Sequence, residues 1–209
     1  MKNEYTMADF TLAEDGSLKG SCTISYAGLS ANDRRDLYKN KEQKEFIKDF
    51  GNKHDTWSIP DFKAENLDSL NKPFIETYTI EATDGAQVAG DKIYLNVMAG
   101  LGQKSNPFKL EKRTYPVDFS CPTKEMKVIK IMLPKGWIVE ELPQPELFSL
   151  PEKAALFKLQ AVKGDGFIQV SSNLLIAKSM YLPEEYEQLK EFFRLITTKH
   201  AMQVVLKKA

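Results

Sequence analysis

The sequence predicts a mainly β fold with a minor α component, in which antiparallel, sandwich-like sheets carry two helical elements. Three observations predict it. Segments that alternate apolar and polar residues recur along most of the 209 residues, punctuated by glycine turns. A single aromatic stripe at helical spacing lies near the C-terminus, over about 183–199. A second helical stretch, over about 31–50, has its apolar groups on opposing faces.

The strands come first in the chain. Residues 9–12 and 18–26 flank Glu14-Asp15-Gly16, a short hairpin loop with glycine where a positive φ is needed. Leu18, Gly20, Cys22, Ile24 and Tyr26 alternate with Lys19, Ser21, Thr23 and Ser25, which turns Cys22 inward. Residues 74–82 and 92–97 read as strands, and 114–119, 126–133 and 138–142 follow. Residues 156–162 and 167–176 flank Lys163-Gly164-Asp165-Gly166, the clearest hairpin, and a last strand spans 202–207.

Two segments are helical. Pro183 suits a first helical turn, and Glu184 and Glu185 complement the positive end of the helix dipole. Tyr186, Leu189, Phe192, Phe193 and Ile196 then form one stripe that must dock on a sheet. In the earlier stretch, Leu37-Tyr38 and Phe46-Ile47 are centred about nine residues apart, which at roughly 100° per residue places them on opposite faces. Two short helices broken near Asn40, or one helix packed on two sides, satisfy that pattern. The Gly-rich loop 99–107 suggests two β-rich sub-domains, 1–112 and 113–209, with one continuous domain as the alternative.

Charge and composition exclude several functions. Lys plus Arg and Asp plus Glu are both 29, so there is no footprint for nucleic acid or an anionic membrane. No apolar run approaches the roughly 18–20 residues of a membrane span, so no membrane insertion is expected. Residues 1–12 lack the features of a signal peptide. The chain is therefore either cytoplasmic or a piece of a longer exported protein.

Candidate chemistry is sparse. Cys22 and Cys121 read as buried free thiols in preference to a disulfide or a nucleophile. The two histidines, His54 in a charged loop and His200 at a helix end, have no ligand or triad spacing to either cysteine. Asp61, Glu65 and Asp68 lack the plan of a calcium loop, and Gly100-Leu101-Gly102 lacks that of a phosphate cradle. No cofactor, metal or catalytic set is expected, and the chain reads as not an enzyme. Trp57, Tyr78, Tyr94, Tyr115, Trp137 and Phe167 read as core aromatics, with a sugar-stacking platform as the alternative.

The cluster with most functional promise is Arg113, Tyr115 and Asp118, a seam or docking cluster. On a strand, residues 113 and 115 share a face and 118 does not, and Pro116 removes a ladder donor. Tyr115 is expected at a sub-domain seam, Asp118 on local backbone or a cation, and Arg113 beside an acid.

Longer motifs carry a resemblance. They are Asn106-Pro107-Phe108-Lys109, Arg113-Thr114-Tyr115-Pro116-Val117-Asp118-Phe119, Leu133-Pro134-Lys135-Gly136-Trp137, and Leu182-Pro183-Glu184-Glu185-Tyr186. Together they resemble the C-terminal β-rich region of unknown function that follows the transglutaminase-like core in secreted and envelope bacterial proteins. The resemblance implies a periplasmic or cell-envelope location and a partner in the core of the same polypeptide. The papain-like Cys, His and Asp of that family belong to the core, which no part of this chain resembles. What is implied is an accessory or interaction module, with a free-standing periplasmic peptide- or glycan-binding module as the alternative.

Overall fold

A computed structural model describes residues 1–51 and 56–209; His54 lies outside the described residues. Strand accounts for 48% and helix for 20%, so the fold is mainly β as the alternation predicts.

The N-terminal half supplies β1 (Lys2–Leu12), β2 (Leu18–Gly28), β3 (Trp57–Glu65), β4 (Phe74–Ala82), β5 (Ala86–Ala89) and β6 (Lys92–Asn96). The rest supplies β7 (Val117–Asp118), β8 (Thr123–Met132), β9 (Trp137–Glu141), β10 (Glu146–Ser149), β11 (Ala155–Gly164), β12 (Phe167–Ile176), β13 (Met180–Tyr181) and β14 (Gln203–Lys208). One eight-stranded sheet has the order β10-β11-β12-β8-β1-β2-β4-β3, a four-stranded sheet the order β5-β6-β14-β9, and β13 pairs with β7. Among the described residues every ladder is antiparallel except β1 with β8. Both larger sheets thus draw strands from either side of residue 112.

Glycine turns set the hairpins. Gly166, at φ 71°, closes the two-residue loop between Gly164 and Phe167, and Gly16 at φ 86° turns β1 into β2. The inner face of β1 is Thr6, Ala8, Phe10 and Leu12, while Tyr5 and Met7 point outward. Small residues on the buried face are why sequence alternation shows this strand only from residue 9. The edge strand β3 escaped it as well, because Pro60 and a break in register between Ser58 and Asp61 interrupt the period.

The expected strand 114–119 is a correction. Only Val117 and Asp118 pair, because Pro116 has no N–H and Ser120 adopts φ 66°. That left-handed residue breaks the alternation on which Cys121 was read as buried; the thiol is only partly covered.

Helices α1 (Leu29–Asn40) and α2 (Gln43–Gly51) are separated near Asn40, which lets Phe46 and Phe50 turn to the sheet beside Tyr38. Phe50 stacks on Tyr78 and Phe46 on Tyr38, each with centroids 3.9 Å apart. A 3₁₀ turn at Pro183–Glu185 leads into α3 (Tyr186–His200), whose buried residues are the predicted stripe plus His200. The two large sheets and three helices share one hydrophobic core. No described helix is long and apolar enough to cross a membrane.

Candidate functional site

The loop from 97 to 113 has almost no regular structure, yet it is laid along α3 by side chains that satisfy its backbone. Asn96 donates from Nδ2 to the His200 carbonyl at 2.9 Å and accepts the Met98 and Gly100 N–H groups on Oδ1. Gly102 packs so closely that a Cβ would meet His200 Cβ at 2.9 Å. Asn106 donates to the Lys190 carbonyl at 2.8 Å and accepts the Phe108 N–H. Tyr186 Oη and Lys190 Nζ both donate to the Leu110 carbonyl, at 3.0 and 2.9 Å. Gly100-Leu101-Gly102 is therefore a packing loop.

This pinning builds a trough of about 1260 Å³ along the outer face of α3. Phe108, edge-on to Tyr186 and Phe193, belongs to one wall, and Phe148, edge-on to Phe192, to the other. Between them lie the exposed residues Glu184, Glu187, Glu191 and Arg194. Glu191 and Arg194 neutralise each other through a two-pronged pair at 2.6 and 2.7 Å.

Arg113, Tyr115 and Asp118 do not converge. Arg113 lines the trough, its guanidinium carbon 5.8 Å from the centroid of the Tyr186 ring. Among the described residues no carboxylate reaches it, so the expected acid partner is replaced by an aromatic face. Tyr115 is 78% exposed instead of packed at a seam. Asp118 accepts the Ser120 N–H at 2.7 Å, a local turn bond that offsets the unusual φ there.

The arrangement that most resembles catalytic machinery is Ser172 with His200, which sequence spacing could not reveal. Ser172 Oγ lies 2.9 Å from His200 Nε2, and the residues are 3% and 4% exposed. The Gln103 N–H donates to Nδ1 at 2.9 Å, so the neutral ring carries its proton on Nε2 and donates it to the serine. A serine nucleophile needs the opposite tautomer, with a lone pair toward Oγ and an acid behind Nδ1. Burial, helped by the Lys127 charge, pushes the His200 pKa down to about 3. This pair ties α3 to β12 and the 97–113 loop; it does not activate a nucleophile.

Other polar groups are likewise spent on the fold. Glu76, fully buried, accepts Arg34 Nε and Nη2 at 2.6 and 3.0 Å and the Tyr78 and Tyr26 hydroxyls at 2.9 and 3.1 Å. Burial and then the Glu76 charge push both phenols above their ordinary range. Buried Arg35 gathers the carbonyls of Asn66, Ser69 and Lys72, fixing that loop against α1. Among the described residues no group of three His, Cys, Asp or Glu is placed to hold a metal. Trp57 and Tyr78 both pack on Phe50, so the aromatics singled out by sequence do not form a common platform with exposed Tyr115.

Cys22 is fully buried beside Tyr78 on the neighbouring strand, and desolvation pushes its pKa up to about 12. Native protein should therefore leave Cys22 unlabelled by iodoacetamide and label Cys121 slowly, with both reacting in denaturant. Mass spectrometry showing rapid native labelling of Cys22 would overturn its structural role.

Residues 91–206 match the model of a family described as "Domain of Unknown Function with solved-structure structure (DUF3858)". No curated protein matches the chain. Among solved structures, a crystal structure of a candidate protease from Parabacteroides distasonis ATCC 8503 is similar with a TM-score of 0.41 and 14% identity. The match covers 47% of this chain and 19% of that one, so the chain spans about a fifth of the protein it matches.

Proposed function

The chain belongs to the DUF3858 family, and from that premise we propose that it is a non-catalytic accessory or interaction module of a larger transglutaminase-like envelope protein. The trough along α3 is the observation that carries this reading. It offers aromatic walls and charged rims suited to a protein partner, and among the described residues no cysteine or histidine lines it. The groups that invite catalytic interpretation, Ser172, His200, Cys22 and Glu76, are sealed in the core. The partner proposed is the transglutaminase-like core of the same polypeptide, in the periplasm or cell envelope. The motifs around Asn106, Arg113 and Leu182 support that context by resemblance.

The test compares the parent polypeptide with and without this region. Amide hydrolysis or transamidation of a small peptide substrate should survive removal of the region, and activity on envelope protein should fall at least several-fold. The isolated chain should turn over neither substrate. Turnover by the isolated chain would sink the non-catalytic reading. A parent reading frame with no Cys–His–Asp core would favour the free-standing peptide- or glycan-binding module instead.

A further inference from the structure

The charges that line the trough are unevenly committed. Lys190 is held by the Leu110 carbonyl and Arg194 by Glu191, while Glu184 and Glu187 sit at the start of α3, where they complement its dipole. That leaves Lys109, Lys112 and Arg113 on one wall with no carboxylate within ion-pair distance among the described residues, against Glu111 alone on the same stretch. Arg113 is the best organised of the three. Its guanidinium lies over a Tyr186 ring that is itself 3% exposed and tethered through its hydroxyl to Leu110. A guanidinium held over an aromatic ring keeps its edge donors free to meet a carboxylate in two-pronged fashion.

We propose that this wall of the trough is a docking site for an acidic, leucine-bearing protein segment. Its carboxylates would meet Arg113 and Lys112, and its apolar side chains would lie against the Phe108 and Phe148 walls. The occupant follows from the charge of the wall and the apolar character of what flanks it. The inference rests on the accessory reading only for the source of the segment, which there belongs to the parent polypeptide.

Two fluorescein-labelled decapeptides test it on the whole chain by fluorescence anisotropy: one alternates glutamate and leucine, the other replaces each glutamate with lysine. The glutamate peptide should bind, more weakly as salt rises, and the lysine peptide should bind at least tenfold less tightly. Arg113→Ala should weaken the glutamate peptide about tenfold at unchanged melting temperature, and Arg113→Lys, which loses the planar fork, should recover only part of it. Equal binding of the two peptides, no binding at millimolar peptide, or indifference to Arg113→Ala would overturn the proposal. Such a failure leaves the accessory reading standing, because that reading is judged on the activity of the parent polypeptide.

Discussion

Glu76→Ala should lower the melting temperature by roughly 10 °C, the larger of the two strongest effects expected from single substitutions. The carboxylate is fully buried and takes four hydrogen bonds from three side chains. Removing it leaves the Arg34 guanidinium, 4.9 Å over the Phe46 ring, without a counter-charge, and strips Tyr26 and Tyr78 of their acceptor. Breaking a buried ion pair from one side costs about 3–5 kcal/mol, and about 2–4 °C accompanies each kcal/mol in a chain of this size. The surface pair Glu191–Arg194 has shorter or similar distances, yet Glu191→Ala should barely move the melting temperature, because both ends are solvated. Replacing both buried partners together, Arg34→Met with Glu76→Leu, should recover most of the loss. A thermal scan in which Glu76→Ala matched Glu191→Ala would contradict the burial described for this network.

That network marks how far the sequence could be read. Alternation through Phe74, Glu76, Tyr78 and Ile80 already puts a carboxylate on the inner face of β4. It cannot say that Arg34 answers it, because their meeting depends on how α1 lies across the sheet. That 31–50 is not one straight, one-sided helix was legible, because nine residues at helical pitch leave two apolar groups facing apart, while the choice of a break over a helix packed on two sides was not. The α3 stripe was legible for the complementary reason. Short edge strands such as β5 and β10 were not, since four residues carry too few alternations to stand out from loop. The trough was half legible. Arg113 and Asn106 stood out in the motifs, but the expected seam around Tyr115 presumed a full strand where Pro116 and Ser120 permit two paired residues. Ser172 and His200 are 28 residues apart and meet only through the docking of α3 on β12, so no local pattern announces them.

The second large effect is a loss of stability in acid that belongs to His200. An unfolded chain takes a proton on this ring near its ordinary value of 6.5, whereas the folded chain refuses it until about pH 3. Burial is the main cause and the Lys127 charge adds to it; a protonated Nδ1 would also oppose the Gln103 N–H with a second donor. Below pH 6.5 the unfolded state therefore binds the extra proton, and stability falls as pH falls. The contribution is intact above pH 6.5, is reduced by about 2 kcal/mol at pH 5, and is gone near pH 3. Carboxylates elsewhere also respond to acid, so the informative quantity is the difference between wild type and His200→Asn, which lacks the titrating ring. At pH 7 the variant should be the less stable, having lost the ring's packing edge-on to Phe157 and a bond to Ser172. Urea unfolding at successive pH values should show that gap narrowing by about 1.4 kcal/mol per unit below pH 6. A gap that stays flat from pH 7 to 4.5, or widens, would mean that His200 is charged in the folded protein. A charged ring would no longer accept the Gln103 N–H, and the clamp that holds the 97–113 loop and the trough against α3 would have to be built another way.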